Sequence, residues 1–378
     1  MRRGGKIAAL LLAAGYSSRM GEFKPLLPLG ERTVIETAVH SFLRAGVEDV
    51  RVVLGHRAEQ LATVTGNTGI KTVLNENYPQ GMYSSVKAGV KSLGPGVEAF
   101  FLLPVDNPLI KRRTLEELIR TRRETRADIT YPCFEVERGH PPLISTRLTE
   151  AILSWDRQGG LRSLLEEYDS KAVDVEVIDQ GTLMDMDTPE DYRLLTEYYN
   201  RKDIPTVREC RAIFKKFAVP EGVVAHCRAV AVLSEKMARL LNGAGCNVDT
   251  ALVETSALLH DLARGRSDHA GAGADILREL GFPRVAEIVA SHMDIIPSGG
   301  RIPVEAELVY LADKMVKGDM PVTLEVRFAE TRGRLAGDQA ALKAAEKRLE
   351  NAENIKSRVE AALGMTLEKL LVKGSIYE

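Results

Sequence analysis

Over the first 200 residues, short and almost wholly apolar runs alternate with longer segments whose apolar positions recur every three to four residues, which predicts buried strands interleaved with amphipathic helices. Lys6 to Ala13, Val50 to Leu54, Lys71 to Leu74, Ala99 to Leu103, Asp128 to Cys133 and Val173 to Ile178 read as strands. Thr33 to Arg44, Tyr83 to Leu93, Arg113 to Arg123 and Leu161 to Tyr168 read as helices. The alternation predicts an α/β domain with a mostly parallel sheet. A closing helix starts at Thr188-Pro189-Glu190-Asp191, where Thr188 can cap, Pro189 suits the first helical position and two acids face the positive end of the dipole.

Past the polar stretch Asn200 to Pro205 the strand-like runs stop and helical periodicity takes over, so a domain boundary is expected there. Residues 207 to 320 read as all-helical, with turns at Gly243-Ala244-Gly245, Gly281-Phe282-Pro283 and Pro297-Ser298-Gly299-Gly300. Long helices are expected over 323 to 363. Their stripe of Leu342, Ala345, Leu349, Ala352, Val359 and Leu363 favours packing on the parent domain over a coiled coil. The expected division is 1–203, 204–322, and a helical extension over 323–378.

A length of 378 residues exceeds what one core usually serves, and 44% hydrophobic with 28% charged residues is ordinary globular composition. The net charge of -2 gives no basic field for nucleic acid or an anionic membrane, which leaves a small molecule as the expected partner. Cys133, Cys210, Cys227 and Cys246 form no C-x-x-C pair, consistent with a reducing, cytoplasmic setting. Met1-Arg2-Arg3 before an apolar run has the charge order of a signal peptide. The run from Ile7 to Ala14 is short, however, and passes straight into a Gly/Ser/Arg loop, so it reads as a first strand.

That loop, Ala13-Ala14-Gly15-Tyr16-Ser17-Ser18-Arg19-Met20-Gly21, is followed by Lys24-Pro25-Leu26-Leu27. Glycines let backbone N–H groups converge on phosphate oxygens, and Arg19 and Lys24 add charge. The loop is not a Walker A sequence, and taken alone it is also ordinary turn chemistry. Phe100 to Leu103 leads to Pro104-Val105-Asp106-Asn107-Pro108, placing Asp106 beyond a strand end, where α/β sheets bind ligands. Alone, an Asp before Asn-Pro reads more often as a turn residue than as a functional one. Met184-Asp185-Met186-Asp187 adds carboxylates before the closing helix.

Together these segments resemble the MobA-like nucleotidyltransferases, and more closely their molybdenum cofactor cytidylyltransferase branch, over about residues 5 to 200. Gln80 to Gly89, Gly139-His140-Pro141-Pro142 and Asp185 to Asp191 are further matches. The resemblance implies a Rossmann-like fold and a nucleoside triphosphate site made by Leu12, Ala13, Ala14, Gly15, Ser17, Ser18, Arg19, Lys24, Ser84, Ser85 and His140. It implies Mg²⁺ on Asp106 and Asp187, with Arg19, Lys24 and Asp106 serving catalysis. Ala13, with Leu26-Leu27 after Lys24-Pro25, resembles the CTP-using members. The implied acceptor is a molybdopterin-type phosphate, with a molybdoenzyme as recipient of the product. Val105-Asp106-Asn107-Pro108 and Pro142-Leu143-Ile144 depart from the commoner family wording. A sugar- or alcohol-phosphate nucleotidyltransferase is the alternative enzyme.

In the helical half, His226, His260-Asp261, His269, His292 and Asp313 put costly polar groups into otherwise apolar patterns. Imidazoles with carboxylates suit Mn²⁺, Fe²⁺ or Ni²⁺. The order His226, His260-Asp261, Asp313 resembles the HD superfamily of metal-dependent phosphohydrolases over about 222 to 320, and His269 and His292 match the added ligands of its dinuclear members. The resemblance implies phosphoester hydrolysis by metal-activated water, with Asp261 in the catalytic set. A nucleotide-sensing regulator with a non-catalytic HD half is the competing reading.

Overall fold

A computed structural model describes residues 5–66, 70–300, 304–335 and 337–370. Met1 to Arg3, which carry the leader-like charges, and the last eight residues of the expected extension, 371–378, lie outside them. The chain forms two compact units, Met1–Arg201 and Lys202–Glu378.

The first unit runs β1 (Lys6–Ala13), β2 (Pro28–Leu29), β3 (Arg32–Thr33), α1 (Val34–Arg44), β4 (Asp49–Leu54), α2 (Ala58–Gly66), β5 (Lys71–Leu74), α3 (Met82–Ser92) and β6 (Val97–Pro104). It continues with α4 (Arg112–Thr125), β7 (Ile129–Phe134), β8 (Glu137–Arg138), β9 (Leu143–Ser145), α5 (Thr149–Ser154), α6 (Gly160–Glu167), β10 (Ala172–Glu176) and α7 (Pro189–Asn200). The main sheet has the order β10-β7-β9-β6-β1-β4-β5, with β8 added on β7. β1 pairs in parallel with β4 and β6.

The apolar run of β1 is explained by burial on both faces. Ala9, Leu11 and Ala13 pack with Val34, Ala38 and Phe42 of α1 and Leu115 and Leu118 of α4, while Ala8, Leu10 and Leu12 pack with Val86 and Val90 of α3 and Leu164 of α6. β9 is antiparallel to both β6 and β7, which makes the sheet mixed at that point. With three residues it is too short to show a period, and neither it nor the brief α2 and α5 is legible in the sequence pattern.

The second unit contains α8 (Val207–Lys216), α9 (Glu221–Gly243), α10 (Thr250–Leu259), α11 (His269–Leu280), α12 (Pro283–Ser291), α13 (Glu305–Lys314), β11 (Val316–Lys317), β12 (Met320–Pro321), α14 (Leu324–Leu335) and α15 (Gln339–Leu363). The β11–β12 hairpin is a small correction to the expectation of an all-helical 207–320. α10 is buried over most of its surface, and Glu307 to Lys314 of α13 are buried without a break, so these two helices form the centre of the unit. α15 packs on α9, α13 and α14 through Ala345, Ala352, Ile355 and Val359. Among the described residues no helix is long and apolar enough to cross a membrane.

Candidate functional site

In the first unit, the parallel register sends the loops after β1, β4 and β6 off the same sheet edge. Gly55, after β4, lets them converge: a Cβ there would lie 2.7 Å from Ala14 Cβ and from Tyr78 Cβ. The loop after β1 turns through Ser17 and Gly21, with φ of 56° and 76°. Ser17 Oγ accepts from the Lys24 backbone N–H at 3.1 Å, and the Met20 N–H donates to Ser17 O at 3.2 Å. Met20 is buried and anchors the loop.

Arg19 Nη1 and Lys24 Nζ donate to the two oxygens of Asp187 at 2.7 and 2.6 Å, and Lys24 Nζ lies 3.7 Å from Asp106 Oδ2. The Lys24 hydrogen bond holds the Asp187 carboxyl below its ordinary range. Burial raises that of Asp106 despite Lys24. Asp187 is placed by the start of α7: its N–H donates to Asp191 Oδ2 at 3.1 Å, and Thr188 forms a capping box with Asp191. Asn107 Nδ2 donates to Met184 O at 2.9 Å, tying the Asp106 loop to the segment that carries Asp185 and Asp187.

Two cavities flank this ion cluster. One, of about 260 Å³, is lined by Leu12, Ala13, Ala14, Gly15, Tyr16, Ser17, Lys24, Tyr78, Met82, Ser85 and Asp106. The other, of about 620 Å³, is lined by Ser17, Ser18, Arg19, Lys24, Asp106, Arg138, His140, Asp185 and Asp187. They meet at Ser17, Lys24, Met82, Pro104 and Asp106. Burial keeps His140 less basic than usual against the pull of Asp185, and its Nδ1 is buried with no hydrogen-bond partner. A Cβ on Gly139 would lie 2.5 Å from Thr182 O, so only glycine lets this segment close on the 180s turn.

In the second unit, six side chains from five helices and their ends converge. Asp261 Oδ2 lies 3.5 Å from His260 Nε2 and 3.9 Å from His226 Nε2, while its Oδ1 lies 3.3 Å from His269 Nε2 and 3.6 Å from His292 Nε2. Asp313 Oδ1 faces His226 Nε2 at 3.1 Å and His260 Nε2 at 3.7 Å. The donor sets His226-His260-Asp261 and Asp261-His269-His292 each lie within 4.8 Å, so Asp261 belongs to both.

The proton positions suit metal binding. His226, His260 and His292 place Nδ1 2.7 Å from the carbonyls of Gly318, Ala257 and Val289 respectively. A carbonyl only accepts, so Nδ1 carries the proton; this leaves His260 and His292 an inward Nε2 lone pair, while Nε2 of His226 faces the Asp313 carboxylate. The Nε2 atoms of His260, His269 and His292 and Asp261 Oδ1 are buried without hydrogen-bond partners, a cost that an ion would remove. Burial drives His260 down to about 4 although Asp313 and Asp261 face it, and it also lowers His269. Burial opposes ionisation of Asp261, yet His292, His260 and Arg264 hold it well below the carboxylate range. His226 moves the other way, because Asp313 outweighs its burial. Lys314, itself buried, donates to Asp313 Oδ2 at 2.6 Å and to His292 O at 3.3 Å, leaving Oδ1 facing the histidines.

The family model for the MobA-like NTP transferase domain matches residues 9–173, and that for the HD domain matches 223–317. The chain is 28% identical over 194 residues to the molybdenum cofactor cytidylyltransferase of Escherichia coli (strain K12), covering 51% of this chain and 97% of that protein. It is 30% identical over 197 residues to the nicotine blue oxidoreductase of Paenarthrobacter nicotinovorans, covering 50% of this chain and 96% of the relative. The chain belongs to the MobA-like NTP transferase family. A solved nucleotidyl transferase from Methanothermobacter thermautotroptrophicus aligns at 25% identity and TM-score 0.47, over 53% of this chain and all of that one.

The MobA-like unit thus gathers Leu12 to Ser18, Arg19, Lys24, Asp106, Asp187, Ser85 and His140 around the two cavities. Ser84 is turned to its own helix start, donating to Gly81 O at 2.8 Å and accepting from Asn75 Nδ2 at 2.9 Å. The HD unit brings all six of its expected residues together. Sequence reasoning missed Asn75, whose Nδ2 also donates to Ser85 Oγ at 3.0 Å, as well as Asn107, Gly318 and Lys314. The available signals were a polar residue directly after the β5 run and a lysine inside the apolar pattern around Asp313.

Proposed function

We propose that the MobA-like unit transfers a cytidylyl group from CTP to the phosphate of a molybdopterin-type acceptor. The observation that carries this reading is the meeting of a smaller cavity and a larger one at Lys24 and Asp106. The smaller takes the nucleotide and the larger the acceptor, so the α-phosphorus lies where they join. An oxygen of the acceptor phosphate attacks that phosphorus, the bond to the bridging oxygen breaks, and pyrophosphate leaves. A phosphate monoester is already anionic near neutrality, so no general base is needed. Arg19 and Lys24 hold and neutralise the phosphates, and Arg138 and His140 face the acceptor. Asp106 and Asp187 are hard oxygen donors suited to Mg²⁺, which when bound offsets charge building on the leaving pyrophosphate. The name of the E. coli relative supports the cytidylyl and cofactor parts of this reading.

The HD unit, on the same proposal, hydrolyses a phosphoester. Its nitrogen and oxygen donors suit Mn²⁺, Fe²⁺ or Ni²⁺, held by His226, His260, Asp261 and Asp313 on one side and Asp261, His269 and His292 on the other. Bound ions supply Lewis acidity and activate water.

The test is incubation of the full chain with Mg²⁺, each NTP and molybdopterin, following pyrophosphate release. Turnover with CTP is expected. Turnover only with a sugar phosphate as acceptor removes the cofactor assignment and keeps the transferase. For the HD unit, phosphoesterase activity on Mn²⁺ loading that is lost in His260→Ala is expected, and a loaded chain inactive on phosphomonoesters, phosphodiesters and nucleotides refutes hydrolysis.

A further inference from the structure

Two large apolar side chains stand exposed on the smaller cavity: Tyr16 at 54% and Met82 at 64%. Neither belongs to a core cluster. Tyr16 is nevertheless held in place. Its ring centroid lies 5.0 Å from that of His56 and 5.5 Å from that of Tyr78, and Phe23 meets His56 edge-on at 6.0 Å. The backbone on either side is fixed as well, by the His56 N–H donating to Ala14 O at 3.2 Å and by Ser17 receiving the Lys24 N–H. An aromatic ring that is propped from behind, exposed in front and one residue from Ser17, which lines both cavities, is a preorganised stacking surface. Met82 begins α3 on the same cavity and brings a polarisable, adaptable side chain.

We infer that Tyr16, with Met82, forms the platform on which the nucleobase of the bound triphosphate stacks, so that base affinity is set by side chains of this chain as well as by the loop backbone. The inference rests on the nucleotide reading above. Stacking grips a planar ring without reading its edge, so it strengthens binding of the base while leaving pyrimidine selection to the Ala13–Gly15 wall. Because the base is remote from the reacting phosphorus, the contact is equally strong before and during transfer and acts on KM rather than kcat.

The test is calorimetric titration of the full chain, in Mg²⁺, with CTP and separately with inorganic triphosphate, which has no base. Tyr16→Ala is expected to weaken CTP about tenfold, within the range of base–aromatic stacking, and to leave triphosphate within about twofold. Tyr16→Phe is expected to bind both as the wild type does, and Met82→Ala to weaken CTP alone. Equal weakening of both ligands by Tyr16→Ala, or unchanged CTP binding, overturns the platform. A wild-type chain that binds triphosphate but not CTP overturns the nucleotide reading itself, an outcome seen before any variant is made.

Discussion

Replacing Asp261 by asparagine keeps the shape of the HD site and removes the one charge common to both donor sets. The carboxylate has one oxygen 3.5 Å from His260 Nε2 and the other 3.3 Å from His269 Nε2, so both sets lose a carboxylate ligand through a single substitution, and Asp313 is left as the anion of the first set. Loss of an outer partner of a metal ligand typically costs about 10–100-fold in affinity. Taking that as the minimum for a direct ligand, and applying it to both sets, gives roughly 10²–10⁴-fold for the pair, or about 3–5.5 kcal/mol. His292→Ala reaches only one set and leaves His226, His260, Asp261 and Asp313 intact. The assay is metal content per chain after Mn²⁺ loading and desalting, with circular dichroism to verify folding. Two ions are expected in the wild type, one in His292→Ala and almost none in Asp261→Asn. If Asp261→Asn retains as much metal as His292→Ala, the shared-carboxylate argument is wrong.

Asp106→Ala is expected to lower pyrophosphate release about 10²–10³-fold, in the range of losing a key electrostatic group, with an unchanged melting temperature, because burial already disfavours the ionised carboxyl. Lys314→Met leaves Asp313 Oδ2 without its cation in a buried pair and is expected to cost about 3–5 kcal/mol in urea unfolding; a loss below about 1 kcal/mol would show the pair to be dispensable. Glu307 of α13 is fully buried, and although burial raises its pKa, Arg358 and the N–H groups of Ser298 and Val304 hold it below its ordinary 4.5. Its stabilisation is therefore present above pH 4.5 and lost as pH falls below that value, and Glu307→Gln should flatten the acid limb of the stability profile.

Much of the architecture was legible in the chain itself. Strands buried on both faces are apolar throughout, so β1, β4 and β6 announce themselves, and the cap at Thr188-Pro189 marks α7 because helix ends have local chemical requirements. The change from strand runs to helical period at residue 200 reflects two separate ways of burying apolar surface. Asp261 and Asp313 stood out because a charge inside an apolar pattern needs a partner.

Tertiary structure decided the rest, since it depends on contacts between residues far apart in sequence. Lys24 and Asp187 are 163 positions apart and 2.6 Å apart in space. The antiparallel β9 is defined by its neighbours β6 and β7 rather than by its own three residues. The Gly318 carbonyl that fixes the His226 proton comes from a turn with no local signature of that role, and Tyr16 reads as loop until His56 and Tyr78 are seen to support it. Local sequence determines what a segment can form, because dihedral preference and burial pattern are local. Which donor faces which acceptor is set by the packing of whole elements, and that packing turns two sets of dispersed polar residues into sites.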